Sequence, residues 1–449
     1  MTKEELEKTH PHYDAFVKEW RFYISAYFGG RLYKEGNYLL QHPFESPANY
    51  RRRREISYYY NYCGPIVDIL VSHLFRREAK RDFGSLSTDL LFNAFLKDAD
   101  LDGSAFAHFM RDAQRLSAIY GRVSIIVDRP KSAAGTQAEA RSAGLRPYVS
   151  VVTPENLLDW SYSRSDIGRP VLEMIKIRED AGLYRIWTRQ RWELWQAGEK
   201  EKEARLVDAG EHGIGEVPVV TLYNKRTGIR MVGISDIQDI ADINKNIYYL
   251  CSDAKEIIEN TAFPMLAVPY SRGETPAEVG PKNIMQFDPA EPNSKPYWLE
   301  APHSSLSEIR EWVRQDIEEI YRIAKMGGVR SVEDFSGPRS GAAIELEYQQ
   351  LYSVLSEKAD NLEHAEGQIL ELWAKWEGKT FDGKIDYPDD FSVMDLDRDL
   401  QNAIKAQAAV VESGTFKKEL QKKIASSVLP KIGIETLKRI GEEIESSGK

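Results

Sequence analysis

The chain has 449 residues, of which 42% are hydrophobic and 29% are charged. This balance is expected of a soluble globular protein with two or three hydrophobic cores. The lack of an apolar run of about 18 residues argues against a transmembrane helix. Its formal net charge of −10 at pH 7 disfavours tight binding of nucleic acid, because proteins that hold DNA by its phosphates are usually basic. The same acidity suits a protein past which DNA slides, since an acidic wall offers the phosphates no trap.

The first 120 or so residues are predicted to be helical. Apolar residues recur there at spacings of three and four, as in segments 65–75 and 90–96. The period then changes, and short β-rich runs at 123–127 and 148–152 predict two strands with a mobile loop over 130–144 between them. Residues 171–178 and 184–195 predict a β-hairpin.

A long helix is predicted over 235–262. Ser235 is a suitable N-cap, Asp236 and Asp239 favour the positive end of the helix dipole, and Pro264 ends the pattern. One apolar stripe follows the helix through Ile237, Ile240, Ile247, Cys251, Ala254 and Ile258.

The next segment, 263–302, holds eight of the 20 prolines in the chain. Because no long helix tolerates that density of proline, three short strands are predicted instead, over 265–268, 284–287 and 297–299.

A second long helix is predicted over 305–326, with a capping box from Ser305 to Glu308 and an end at Gly327 and Gly328. A glycine-containing loop over 327–340, a third long helix over about 341–377 and a short helical bundle over 391–449 complete the chain. The apolar face of the second helix, which supplies the candidates for a subunit interface, consists of Leu306, Ile309, Val313, Ile317 and Ile320.

The order of these elements predicts a stalk with a tip. One helix leads out, a small β domain follows, and a second helix returns. Because a stalk buries little surface by itself, it needs neighbours, and a ring of side-by-side copies supplies them.

Three strings in the sequence, together with this order, resemble the portal proteins of tailed bacteriophages, also called head-to-tail connectors. Residues 58–68 resemble the early wing helix, 152–160 resemble a wing segment, and 242–249 followed by 262–264 resemble the stem helix that leads into the clip. These are packing and turn features rather than catalytic motifs, and the crown is the least specific part of the resemblance.

The resemblance implies a helix-rich α+β fold with wing, stem, clip and crown. It assigns an N-terminal wing to 1–234, a descending stem helix to 235–262, a clip to 263–302 and an ascending stem helix to 303–326. It further assigns a tunnel loop to 327–340, a long wing helix to 341–378 and the crown to 379–449.

The function implied by the resemblance is mechanical. A ring of about twelve copies (a dodecamer) at the portal vertex of the virion, assembled in the host cytoplasm, would form a channel for double-stranded DNA during packaging and ejection. The implied partners are the terminase, the major capsid and scaffold proteins and a head-tail adaptor, with no membrane and no cofactor. ATP hydrolysis would belong to the terminase, so the chain itself is expected not to be an enzyme.

Basic residues in and beside the predicted tunnel loop are the candidates for contact with DNA. Lys325, Arg330 and Arg339 would touch phosphates, while Glu333 and Asp334 on the same loop would keep that contact weak.

Other motifs have simpler explanations than chemistry. Residues 378–380, Gly-Lys-Thr, lack the first glycine of a phosphate-binding loop because position 373 is tryptophan, so a helix C-cap is favoured. Asp236, Asp239 and Asp242 favour a helix dipole over a Mg²⁺ site. A solvated loop and a helix cap are likewise favoured over a metal site for the acidic residues Asp386, Asp389, Asp390, Asp395 and Asp397.

Three further groups of residues have structural interpretations. Residues 51–54, all arginine, precede Tyr58, Tyr59 and Tyr60. Packing of a charged helix on a tyrosine-rich core is favoured over a subunit interface or a binding site for single-stranded nucleic acid. Cys63 and Cys251 are interpreted as core thiols in a reducing compartment. His10 and His12 form a poor metal pair, because no thiol accompanies them.

Two rival functions remain. A soluble enzyme with a helical lid on a β domain is disfavoured because no nucleotide, metal or nucleophile signature occurs. Another virion or adaptor protein is disfavoured by the β insert between two long helices.

Overall fold

The structure, a computed structural model, describes residues 1–131, 144–198, 202–262, 265–269, 285–287, 295, 297–299, 304–326, 341–388, 391, 413–428 and 434–446. The chain forms two compact units, Met1–Asp390 and Phe391–Lys449.

Helices dominate the start of the first unit, as predicted, and local sequence signals begin and end them. The Thr2 side chain caps the first helix in a capping box with Glu5, and Ser46 caps a helix with proline in its first turn. The helices are α1 (Lys3–Glu7), α2 (Pro11–Phe28), α3 (Gly30–Glu35), α4 (Pro47–Ile56), α5 (Cys63–Leu74), α6 (Leu90–Lys97) and α7 (Phe106–Tyr120), with a 3₁₀ helix at Gly84–Thr88 and a short strand β1 (Lys80–Asp82).

Two antiparallel sheets follow. The first places β2 (Arg122–Asp128) between β3 (Tyr148–Val152) and β9 (Val219–Tyr223), and β2 is buried along nearly its whole length. The second is a five-stranded meander whose strands neighbour one another in chain order. Its strands are β4 (Leu157–Arg164), β5 (Pro170–Asp180), β6 (Leu183–Thr188), β7 (Arg191–Gln196) and β8 (Arg205–Glu211).

The middle of the chain has the predicted order of helix, small sheet and helix. Helix α8 (Gln238–Ala262) is followed by β10 (Met265–Pro269), β11 (Met285–Phe287) and β12 (Tyr297–Leu299), and then by α9 (Ser304–Ile323). Strand β10 is central in this sheet, parallel to β11 and antiparallel to β12.

The 36-residue helix α10 (Gly341–Trp376) follows in the same unit. It packs against α5, α7, β2 and β9, and the Trp373 ring lies 4.9 Å from Phe92 and 5.8 Å from Phe95 between their centroids. Strand β13 (Lys384–Asp386) pairs with β1. In the second unit, α11 (Gly414–Val428) packs against α12 (Ile434–Ser446).

The helix-rich α+β class predicted from the sequence is confirmed, and so are the three short strands of the proline-rich segment. The predicted strand over 184–195 is wrong as one element: it is β6 and β7, because a turn at residues 189–190 reverses the chain. Strands β4, β8 and β9 had not been predicted. Residues 132–143 of the predicted mobile loop lie outside the described residues.

The predicted crown, residues 379–449, spans both compact units, because β13 belongs to the first unit and the division falls after Asp390. Among the helices that the structure describes, none is both long enough and apolar enough to cross a bilayer.

Candidate ring interface and DNA channel

The base of α8 is fixed where two backbone segments touch. Gly121 ends α7 with φ +87°, and a Cβ added there would overlap the carbonyl of Gly233. The Ser235 hydroxyl accepts from Ile237 N–H at 3.1 Å, so it caps the approach to the helix, whose first residue is Gln238. Asp236 N–H donates to Ala118 O at 2.9 Å. The start of α8 is therefore joined directly to the end of α7.

A buried ion pair ties the same point to α10. The Lys358 ammonium lies 2.7 Å and 2.8 Å from the two carboxylate oxygens of Asp236, and it also donates to Asn224. The Lys358 side chain is 4% exposed and that of Asp236 is 12% exposed. The carboxylate at the base of α8 thus neutralises a buried charge of α10.

Arginines of α4 hold the next turns of α8. The Arg53 side chain is buried between Glu45, 2.8 Å away, and the α8 residues Ser252 and Asp253. The hydrogen bonds from Arg53 lower the pKa of the Glu45 carboxyl. Arg52 pairs with Glu256 and Glu259 of α8. The arginine run is therefore part of a charged helix, as the sequence suggested, and this helix packs on α8.

Tyr59 fills the space between α8 and the N-terminal helices. Its hydroxyl donates to Asn244 Oδ1 at 2.8 Å, and its ring stacks on Tyr33 with centroids 3.8 Å apart. Burial raises the pKa of Tyr59 far above its usual range, so the phenol stays protonated. The Tyr59 hydroxyl is therefore held in a hydrogen bond inside the core.

Helices α8 and α9 pack against each other in opposite directions. Asn246 Nδ2 donates to Asp316 Oδ2 at 2.7 Å. Burial raises the pKa of Tyr62, and the nearby Tyr321 adds to that shift; the Tyr62 N–H bonds to Asn244 at 3.1 Å. Residues later in α9 therefore lie beside residues earlier in α8, as expected of an antiparallel pair. The strands that follow α8 and precede α9 are also antiparallel, with Leu266 of β10 paired with Trp298 of β12.

The five interface candidates lie on the less exposed side of α9. Leu306, Ile309, Val313 and Ile317 are half-buried, and Ile320 is fully buried. Since α9 packs on α8, the chain itself already covers part of this stripe. The role of the stripe between subunits stays a prediction. On the same helix, Trp312 is 57% exposed.

Of the three DNA-contact candidates, the structure describes one. Lys325 is exposed just beyond α9, with a left-handed φ of +56°. Arg330 and Arg339 lie outside the described residues, as do Glu333 and Asp334. Helices α8 and α9 together carry ten acidic and five basic residues, so this pair of helices is acidic.

The remaining motifs have structural roles. Gly378 ends its helix with φ +66° and Lys379 pairs with Asp89, the N-cap of α6. His10 caps α2 and stacks on Trp160 at 4.1 Å between ring centroids. Within the described ranges, no three side chains of the metal-binding types lie close enough together to hold an ion. Both cysteines are free thiols.

The sequence did not reveal the residues that anchor α8. Lys358, Asn224 and Glu45 look like ordinary polar residues, and only the fold makes their burial visible. Arg122 is a similar case: its guanidinium is fully buried between Trp20 and Trp160, and burial lowers its pKa to about 10. The apolar residues Val123, Ile125, Ile126 and Val127, which follow Arg122 in the same strand, were the available signal.

Solved structures with a similar chain come from gene transfer agent (GTA) particles. The virion of the native particle gives a TM-score of 0.42 at 12% identity, covering 79% of this chain and 88% of that one. The neck of the empty particle, computed with C6 symmetry, gives 0.42 and 12%, covering 84% and 90%. The neck of the native particle, computed with C12 symmetry, gives 0.41 and 12%, covering 79% and 88%.

These scores are too low to carry an argument about function, and no curated protein matches the chain significantly. The sequence model of the family described as "Phage portal protein, SPP1 Gp6-like" matches residues 18–449. With nearly the whole length matched, the chain belongs to this family of phage portal proteins.

Proposed function

We propose that the chain is the subunit of a closed portal ring of about twelve copies, through which double-stranded DNA enters and leaves a capsid. The observation that carries the proposal is the antiparallel pair of α8 and α9, with a small sheet between them in sequence. This pair is held at its base by the Asp236–Lys358 ion pair. Such a pair is a stalk, and a ring of stalks encloses a channel.

The charge of the stem supports passage of DNA rather than capture. Ten acidic residues against five basic ones give α8 and α9 a negative surface. Phosphates repelled by a wall slide past it, whereas each neutralised phosphate adds to a salt-dependent hold. A hold repeated around a ring would stall translocation.

The basic residues beside and within 327–340 would then supply a weak contact. We assign Lys325, Arg330 and Arg339 to the channel, with Glu333 and Asp334 moderating them. The role is mechanical. The terminase, which hydrolyses ATP, would dock on the ring together with capsid, scaffold and head-tail adaptor proteins, first in the host cytoplasm and finally at the portal vertex of the virion.

Electron microscopy of the purified chain tests the ring. Rings with a hole wide enough for a duplex are the expected result, either from the chain alone or after co-expression with its scaffold protein. A chain that stays monomeric at high concentration in both preparations would overturn the proposal. An enzyme with a helical lid would instead give a monomer, dimer or tetramer without a hole.

A packaging assay on assembled proheads tests the channel. Deleting residues 330–336 should leave rings intact and reduce packaged or retained DNA. Replacing Glu333 and Asp334 with glutamine and asparagine should slow packaging more at low salt than at high salt, because screening weakens the unmasked attraction. Normal DNA content with the deletion, and no salt-dependent slowing, would remove the loop from the channel.

A further inference from the structure

The turn formed by residues 40–45, here called the Phe44 turn, displays apolar side chains that no described part of the chain covers. Phe44 is 103% exposed and Leu40 is 67% exposed. A phenylalanine is a large apolar surface to leave in water. These two exposed side chains, which stand on one short turn, are here called the knob.

The Phe44 turn is held in one shape by hydrogen bonds. Gln41 Nε2 donates to Glu45 O at 2.7 Å, and His42 N–H donates to a Glu45 carboxylate oxygen at 3.1 Å. The buried Arg53 donates to both carboxylate oxygens of Glu45 and to Leu40 O at 2.6 Å. His42 Nε2 lies 3.1 Å from Asp253 of α8. The knob is therefore preorganised, which lowers the entropy cost of binding.

A second uncovered surface, here called the tyrosine patch, consists of Tyr58, Tyr60 and Ile258. Tyr58 and Tyr60 are about half exposed, with rings 4.8 Å apart and hydroxyls 2.7 Å apart. The Lys255 ammonium lies 5.5 Å from the Tyr58 ring centroid. One turn further along α8, Ile258 is 53% exposed.

The α8 residues that border the two surfaces lie at the same level of the helix and on opposite sides of it. Asp253, with Tyr249 one turn before it, faces the segment of the Phe44 turn, since the Tyr249 hydroxyl donates to Tyr38 O. Cys251 and Lys255 lie on the side of the helix that faces Tyr60 and Tyr58, and Ile258 is on the same side. At about 100° per residue the two sets are roughly 170° apart around the helix, and Asp253 and Ile258 are only about 8 Å apart along its axis.

We propose that the Phe44 turn of one copy packs into the tyrosine patch of the next copy around the ring. The inference rests on the proposed ring, and it names the contact that closes it. A closed ring of identical chains needs two different complementary surfaces on opposite sides of each subunit at one level. The charges that border the two surfaces are opposite: Asp253, 36% exposed and within 4 Å of His42 and Arg53, borders the knob, and Lys255 borders the patch.

Charging the knob tests the contact. Phe44→Glu should reduce assembly at least ten-fold in the protein concentration needed for half-maximal ring formation. The monomer should keep its thermal unfolding temperature, because the replaced ring touches solvent alone. The matched control is Ile167→Glu, at a residue 76% exposed on the turn between β4 and β5, which should assemble as the unchanged chain does. Equal assembly by both variants would overturn the contact and leave the ring proposal standing.

Cross-linking tests the pairing itself. In a Cys251→Ser background, the double variant Phe44→Cys, Tyr60→Cys treated with a short bismaleimide should give a ladder of multimers up to the full ring. Each single variant should give no cross-linked product, because two identical surfaces do not meet in a head-to-tail ring. Dimers from a single variant, or no ladder from the double variant in rings seen by microscopy, would overturn the inference. An unchanged chain that forms no rings would overturn the proposed function instead.

Discussion

Lys358 of α10 and Asp236 at the base of α8 form an ion pair at 2.7 Å with both side chains almost inaccessible to solvent. The pair joins the long helix α10 to the start of α8. Because a buried charge without its partner is costly, the orientation of α8 at its base depends on this contact.

Replacing Lys358 with methionine keeps the length of the side chain and removes its charge. The free energy of unfolding should fall by about 3–5 kcal/mol, because Asp236 is then left charged and buried. The matched control on the same helix is Lys375→Met, which breaks the pair of Lys375 with Glu216, where both side chains are more than 40% exposed. That control should cost at most about 1 kcal/mol. Chemical denaturation of both variants decides the question, and equal small losses would show that the Asp236 pair adds nothing.

The close approach of Gly121 and Gly233 gives a second prediction. Gly121→Ala must place a Cβ against the Gly233 carbonyl as well as adopt φ +87°. Gly103 is a control with a similar φ of +94° and open space around it. Gly103→Ala should lose only the conformational term of about 1–2 kcal/mol, and Gly121→Ala should lose clearly more. If denaturant titrations gave the same loss for both, the crossing of the two backbones would not be a tight contact.

Protonation of His10 should make the first unit less stable in mild acid. Its Nδ1 accepts from His12 N–H at 3.1 Å, and burial lowers its pKa from 6.5, an effect that Asp159 opposes. The unfolded chain therefore binds the proton more readily as pH falls through 6.5, so stability is lost in that direction. His10→Asn keeps an N-cap acceptor without a titratable ring.

Thermal unfolding from pH 8 to pH 5.5 measures this effect. The fall in Tm with pH should be shallower in His10→Asn than in the unchanged chain. It should not vanish, because burial and Arg76 also lower the pKa of His73. His364→Asn, on an exposed position of α10, should keep the original slope. A slope unchanged by His10→Asn would mean that the cap does not sense protonation.

The sequence predicted the middle of the chain best. Prolines confine 263–302 to short segments, and the three strands appear within one or two residues of their predicted limits. The periodic stripe of α8 is buried from Ile237 to Ile247, but Ile258 is exposed, since periodicity shows that a face is apolar and not what covers it.

The sequence predicted the β meander and the anchoring residues least well. Strand β8 is an edge strand with mostly exposed side chains, so it has no alternating pattern to detect. Arg53 stood in a run of four arginines, and nothing distinguishes the buried one from its neighbours until Glu45 and Ser252 meet it in the fold. Such contacts join residues far apart in the chain, and a local pattern carries no information on them.

The last prediction concerns the apolar residues of α9. Two large apolar side chains on this helix differ in burial. Ile320 is fully buried, whereas Trp312 is 57% exposed. Ile320→Asp should lower the free energy of unfolding on the order of several kcal/mol, since the carboxylate has no partner in an apolar site. Trp312→Asp should leave the unfolding of the monomer nearly unchanged, and any loss of rings in that variant would then report a contact between copies.

Val313→Asp, at a half-buried position, should fall between the two in stability and should also prevent ring assembly if the stripe reaches a neighbouring subunit. Chemical denaturation at a concentration below that of assembly, followed by microscopy above it, separates the two effects. Normal stability of Ile320→Asp would show that α9 does not pack on α8 through this face.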